Sequence, residues 1–136
     1  MKLLIFAFGE DLPTNPYTPH NHVKNCIVYT GTHDNNTIRG WFKDEASADD
    51  KKRLFQYLGR EVSEKDVHWE FVRLAMMSVA NTVILSAQDI LGLGGEARMN
   101  LPATTKGNWK WRLREKELTS SLSDKLLEMT RIYGRA

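Results

Sequence analysis

Three short apolar runs punctuate the chain, and each stops abruptly at glycine or polar residues. Lys2 to Phe8 ends at Gly9, Cys26 to Thr30 ends at Gly31, and Thr82 to Ser86 gives way to Ala87-Gln88-Asp89. The runs are nearly continuous rather than alternating, as expected of strands buried on both faces of a parallel sheet. Between the second and third, the apolar spacing changes to that of helices. Ser47 is placed to cap a helix with Asp49 and Asp50 in its first turn, Leu54, Tyr57 and Leu58 on one face, and Gly59 as its stop. Ser63 is placed to cap the next, with Val67, Phe71, Leu74, Ala75 and Ser78 in one stripe up to Asn81. A last helix is predicted over 120–133, with Leu122, Leu126, Met129 and Ile132 in register and Gly134 behind it.

Strand, long loop, strand, helices, strand, loop, helix is the order of an α/β fold with parallel strands and helical crossovers. Polar or glycine-rich loops follow each strand, over 9–22, 31–37 and 88–111. In such sheets functional groups collect where strands end, so the three loops are expected to converge on one face. The first and third are long for a compact domain, which points to function. Three strands are too few to close a barrel and leave edges through which copies of the chain could associate.

Composition narrows the partners more than the fold. With 19 basic and 17 acidic residues the formal charge is +2, too small for a nucleic-acid or membrane partner without a clustered basic face. The single cysteine, Cys26, excludes an internal disulfide framework and suits a reducing compartment. Leu3 to Phe8 superficially imitates a signal peptide, but it stops at Gly9-Glu10-Asp11 with no small-residue cleavage site. A cytoplasmic location is the expectation.

The chemistry concentrates in Gly31-Thr32-His33-Asp34-Asn35-Asn36-Thr37. A buried strand delivers an imidazole and a carboxylate side by side at its C-terminal end. Asp34 can accept two hydrogen bonds from vicinal hydroxyls, with His33 donating or accepting a third. The competing use of Asp34, Asn35 or Asn36 is to cap the helix leading to Trp41 and Phe42. Downstream, Gly107-Asn108-Trp109-Lys110-Trp111-Arg112 places two tryptophans in a polar loop. Their π faces suit stacking on sugar rings, although one of them can equally anchor the loop to the body.

The glycine-to-threonine run 31–37 joins two further segments: Phe6-Ala7-Phe8 with Asn15 to His22, and Gln88 to Asn100 with 107–112. In that order, over essentially the whole chain, they resemble the 4-α-glucanotransferases of the amylomaltase family. The resemblance implies a partial (β/α)₈ TIM barrel, about the last three β/α units, with 1–136 as a C-terminal piece of the catalytic domain. It implies a retaining transfer of α-1,4-glucan segments between maltooligosaccharides, with no metal or organic cofactor. Of the family's three carboxylates it places the sugar-binding one on Asp34. It makes His33, Asn35, His20, Asn21, Asn108, Trp109 and Trp111 substrate-facing. The nucleophilic Asp and the acid/base Glu belong to R-x-D-H and A-E-D-L-G motifs on earlier strands. The first has no counterpart among the 136 residues. Glu10-Asp11-Leu12-Pro13 mimics the second but follows the wrong strand, so Glu10 is expected to be a solvent-exposed carboxylate. The chain is therefore expected to be inactive alone, as a fragment of the catalytic domain. The alternative is a non-catalytic carbohydrate-binding or interaction module derived from that family.

Other signals are weaker. His20, His22, His33 and Asp34 suit zinc by type, but His20 and His22 bring no third ligand in their own loop. Trp109 to Arg114 interleaves aromatic and basic residues, but Glu115 and Glu117 follow at once. Gly92, Gly94 and Gly95 lack the Lys-Ser/Thr of a phosphate loop.

Overall fold

The computed structural model describes residues 1–136. Three parallel strands, β1 (Lys2–Leu3), β2 (Ile27–Tyr29) and β3 (Thr82–Ile84), form one sheet in the order β1-β2-β3. Lys2 pairs with Val28 and Leu3 with Tyr29; Ile27, Val28 and Tyr29 then pair with Thr82, Val83 and Ile84.

The strands are shorter than the apolar runs that announced them, and the first departs most. After Leu3 the backbone tightens into a 3₁₀ turn, Leu4–Phe6, although Ile5 N still donates to Thr30 O at 3.0 Å. Leu4, Ile5, Ala7 and Phe8 are all buried. Phe6, within the turn, is 50% exposed yet apolar, so the run reads as continuous whether the backbone is extended or turned, and periodicity could not separate the two.

Helix α1 (Ile38–Gly40) runs into a π turn, Trp41–Glu45. Its cap is Thr37, whose Oγ1 accepts from Gly40 N at 3.0 Å; Asp34, Asn35 and Asn36 do not cap it. Helix α2 (Ala48–Leu58) begins with a reciprocal Ser47/Asp50 capping box and stops at Gly59, where φ is 78°. Helix α3 (Val67–Met77) opens one turn later than expected. Ser63 starts a preceding turn, and its hydroxyl donates to Asp66 Oδ2 at 3.1 Å instead of capping the helix. The stretch 88–111, expected as loop, contains α4 (Ala87–Leu91) capped by Ser86 and a 3₁₀ turn over Gly95–Ala97. Its glycine content hid a helix of little more than one turn. Helix α5 (Ser120–Ile132) is capped by Thr119 and closes before Gly134, where φ is 64°.

The helices cover one face of the sheet. Val28 is fully buried there, and Phe71 of α3 meets Phe8 and Trp41 edge-on, with ring centroids 5.4 and 5.6 Å away. Such aromatic pairs add about 1 kcal/mol each beyond their buried area. A smaller cluster, Val72, Met76 and Met129, holds α5 against α3. The opposite side of the sheet is open: Ile27 and Ile84 are 38% and 43% exposed. No helix is long and apolar enough to cross a membrane.

Candidate functional site

The segment 31–37 leaves β2 at its C-terminal end and must turn at once to start α1. Asn35 makes that turn rigid, its Oδ1 accepting from Thr32 N at 2.9 Å and Thr32 Oγ1 at 3.0 Å. Its side chain is thereby used as a brace. The tight turn pushes the next two side chains outward: His33 and Asp34 are 55% and 50% exposed, with His33 Nε2 3.3 Å from Asp34 Oδ1.

The chain from 98 to 109 packs on this turn and fixes its geometry. Asn100 Nδ2 donates to Asp34 Oδ1 at 2.7 Å, and Asn100 N donates to His33 O at 3.0 Å. Arg98 reaches Asp34 O at 2.7 Å and Asn100 O at 2.9 Å. Arg98 also pairs with Glu45, which accepts from Asn36 Nδ2 at 3.0 Å. Trp109 is held by a bond from its own N–H to Met99 O at 2.7 Å, at a φ of 60°. Its ring lies 5.0 Å from that of His33, inclined by 40°. Asp34 Oδ2 accepts nothing from the protein, so one carboxylate oxygen is held and the other is open.

These groups border a cavity of about 590 Å³, whose lining includes Tyr29, His33, Asp34, Asp89, Arg98 and Trp109. Deeper in, Asp89 is 3% exposed. It accepts from Thr30 Oγ1 at 2.6 Å and from Ile38 N at 2.8 Å. Burial raises its pKa above the ordinary carboxylate value, against the opposing pull of the Ile38, Thr30 and Ser86 bonds. An apolar floor, an aromatic wall and a half-free carboxylate beside an imidazole suit a polyhydroxylated ring.

Of the residues singled out in the sequence, the structure brings His33, Asp34, Asn35 and Trp109 together. It does not bring His20, Asn21, Asn108 or Trp111 to this cavity. His20 sits in the 3₁₀ turn Pro19–Asn21, its ring bonded to Tyr57 Oη at 3.1 Å and Pro13 O at 2.9 Å. The Asn21 amide donates to Pro13 O and Asn15 O at 3.0 and 2.9 Å. The His20 ring thus ties the 9–22 loop to α2, and the Asn21 amide braces that loop internally. Asn108 staples its own loop, accepting from Leu101 N at 2.9 Å and donating to Thr104 O at 3.1 Å. Trp111 is half-buried beyond the cavity lining. Glu10 is exposed in the turn after Phe8. Asp89, Arg98 and Asn100 bond to this turn or its ends without having been singled out individually; their sequence signal is membership of the run 88–100, one of the segments that carry the resemblance.

Residues 1–119 match the profile of glycoside hydrolase family 77, described as 4-alpha-glucanotransferase. The chain belongs to that family. It is 47% identical over 135 residues to the 4-alpha-glucanotransferase of Clostridium butyricum, covering 99% of this chain and 27% of that protein. Against the Synechocystis 4-alpha-glucanotransferase the identity is 49% over 136 residues, covering 99% and 26%. The amylomaltase of Streptococcus agalactiae, solved in complex with acarbose, superposes with a TM-score of 0.90 at 35% identity, covering 98% of this chain and 27% of that one. The chain thus spans about a quarter of the length of the curated 4-alpha-glucanotransferases it matches. Its α/β fold and small parallel sheet match the corresponding part of amylomaltase.

Proposed function

We propose that this chain forms the last three β/α units of a (β/α)₈ barrel and one wall of its α-1,4-glucan groove. In this reading Asp34 is the sugar-binding carboxylate of a 4-α-glucanotransferase. The observation that carries it is the state of the Asp34 carboxylate: Oδ1 is held by Asn100 at 2.7 Å and Oδ2 takes no hydrogen bond from the protein, in a residue that lines the cavity together with His33 and Trp109. A carboxylate fixed through one oxygen is preorganised to accept sugar hydroxyls through the other. It also favours the positive charge that develops at the ring in an oxocarbenium-like transition state. Losing a preorganised contact of this kind costs about 3 kcal/mol in the barrier. His33 binds a neighbouring hydroxyl, and the Trp109 face stacks on the ring. The open face of the sheet, with Ile27 and Ile84 half-exposed, supports the barrel reading, because those positions become interior once further strands close it.

The reaction of the whole enzyme is a double displacement. A nucleophilic Asp forms a glycosyl-enzyme, a Glu protonates the leaving oxygen, and the 4-hydroxyl of a second glucan then takes the segment. The R-x-D-H run that would carry the nucleophile is not among these 136 residues, so the chain alone binds but does not transfer. Two measurements test this. Incubation with maltotriose is expected to release no glucose above a mock preparation; release would refute the assignment of the missing steps. Titration with maltoheptaose is expected to quench tryptophan fluorescence saturably, with the response lost in Asp34→Ala and Trp109→Ala and retained in Trp111→Ala. A flat titration of the folded chain would refute the binding wall.

A further inference from the structure

Asp89 is a carboxylate that the glucan reading leaves without a task. It is 3% exposed, far below the exposure usual for aspartate. Both oxygens are engaged, and the two donors are informative. Thr30, itself fully buried, follows directly on the end of β2 at Tyr29 and leads into the sugar-facing turn; Ile38 is the first residue of α1, at which that turn ends. One carboxylate therefore closes the two ends of the 31–37 loop on each other, at 2.6 and 2.8 Å. It is delivered from a third place in the chain, the short helix α4 after β3. Two donors facing one buried site call for an acceptor-only group, which a carboxylate is and an amide is not. Ser86 Oγ accepts from Asp89 N at 3.1 Å and Gly92 terminates α4, so the clamp is fixed on its own helix.

We propose that Asp89 is the positioning residue for Asp34 and His33, setting where the loop presents them to the sugar by fastening both of its ends. It touches neither sugar nor reacting atoms in this reading, which rests on the glucan-binding role of Asp34. A carboxylate buried under the loop would otherwise be a cost without return, since burial penalises its charge. The clamp gives that burial a use: the bonds from Thr30 and Ile38 compensate the charge and fix the turn.

The test uses the 136-residue chain and three variants: Thr30→Val, which keeps the shape and deletes one donor; Thr30→Ser, which restores the hydroxyl; and Asp89→Asn. Two signals are read on folded protein. The first is the set of backbone amide resonances of His33, Asp34 and Asn35 with the Trp109 indole resonance, in the absence of sugar. The second is maltoheptaose affinity. Thr30→Val and Asp89→Asn are expected to move the loop and indole resonances and to weaken binding roughly tenfold, the usual worth of a hydrogen bond to a charged group. Thr30→Ser is expected to match the unmodified chain in both. Unmoved loop resonances in folded Thr30→Val would overturn the proposal, whatever happens to its melting temperature. If the unmodified chain binds no maltoheptaose, the glucan reading of the isolated chain fails, and the sugar-free resonances alone decide the role of Asp89.

Discussion

Asn100 holds Asp34 from two sides. Its side-chain amide donates to the Asp34 carboxylate at 2.7 Å, and its backbone N–H donates to the carbonyl of His33 at 3.0 Å. One residue from the third strand's loop thus fixes both the carboxylate and the peptide unit before it. Replacing Asn100 by Ala removes only the first bond. The expected result is a folded chain, because the backbone bond survives, with maltoheptaose affinity reduced about tenfold. Calorimetric titration beside a urea melt checks this, and an unchanged affinity would show that the Asp34 rotamer needs no help.

How much of this was legible in the chain depends on what each residue is asked to do. The Ser47/Asp50 box and Gly59 announce α2 because capping is local chemistry between residues three apart. That β1, β2 and β3 run parallel was readable because continuous apolar runs separated by helical spacing call for crossover connections. The turn at Leu4–Phe6 was not, since an apolar residue reads the same in sequence whether it is buried, like Leu4 and Ile5, or half-exposed, like Phe6. His33 and Asp34 were visible as a pair at a strand end. Asn100 and Asp89 act on that pair from 66 and 51 positions away, reaching Asp34 and Ile38, and no local pattern encodes such a contact. His20 and Asn21 make a related point: polar residues in a loop beside a motif can serve the loop's own folding, as their bonds to Tyr57, Pro13 and Asn15 do.

Gly92 should be among the least replaceable residues outside the cavity. Its φ is +67°, and a Cβ there would come within 2.6 Å of His68 Cε1 and 2.8 Å of Nε2. Left-handed strain and overlap with a buried ring act together, so Gly92→Ala is expected to cost on the order of 3 kcal/mol. Gly59 supplies the control: its φ is +78° but nothing lies within 4 Å of the added carbon. Gly59→Ala should cost only about 1 kcal/mol. Urea midpoints of the two variants separate steric overlap from backbone strain, and equal losses would remove the role assigned to His68.

Arg135 fastens the end of the chain to the end of α3. Its guanidinium donates to the carbonyls of Met76 at 2.6 Å, Ser78 at 2.8 Å and Ala80 at 3.0 Å. These acceptors lie at or beyond the last turn of α3, where carbonyls lack helical partners and a positive charge is favoured. Arg135→Ala is expected to lower stability by about 2 kcal/mol, and Arg135→Lys to recover only part, because an ammonium cannot span a fan of carbonyls. Hydrogen exchange at the C-terminal end of α3 should accelerate in both variants. Full recovery with lysine would mean that charge alone, rather than the planar fork, does the fastening.

His68 predicts how the chain responds to acid. The imidazole is 7% exposed in α3, its Nδ1 has no hydrogen-bond partner, and burial, aided by the Lys125 cation, lowers its pKa from 6.5 to about 4. A folded-state value below the unfolded one means that the unfolded chain binds the proton first. The stability contributed by neutral His68 is therefore present above pH 6.5, declines as pH falls toward 4, and is exhausted below that. Burial lowers His22 as well, so it acts in the same sense. Asp89, raised by burial, acts in the opposite sense, favouring the folded state at lower pH. The two can be separated by a difference measurement. Urea stability of the unmodified chain should fall by about 3 kcal/mol more than that of His68→Gln across this window. Parallel curves for the two proteins would show that His68 accepts its proton without unfolding α3.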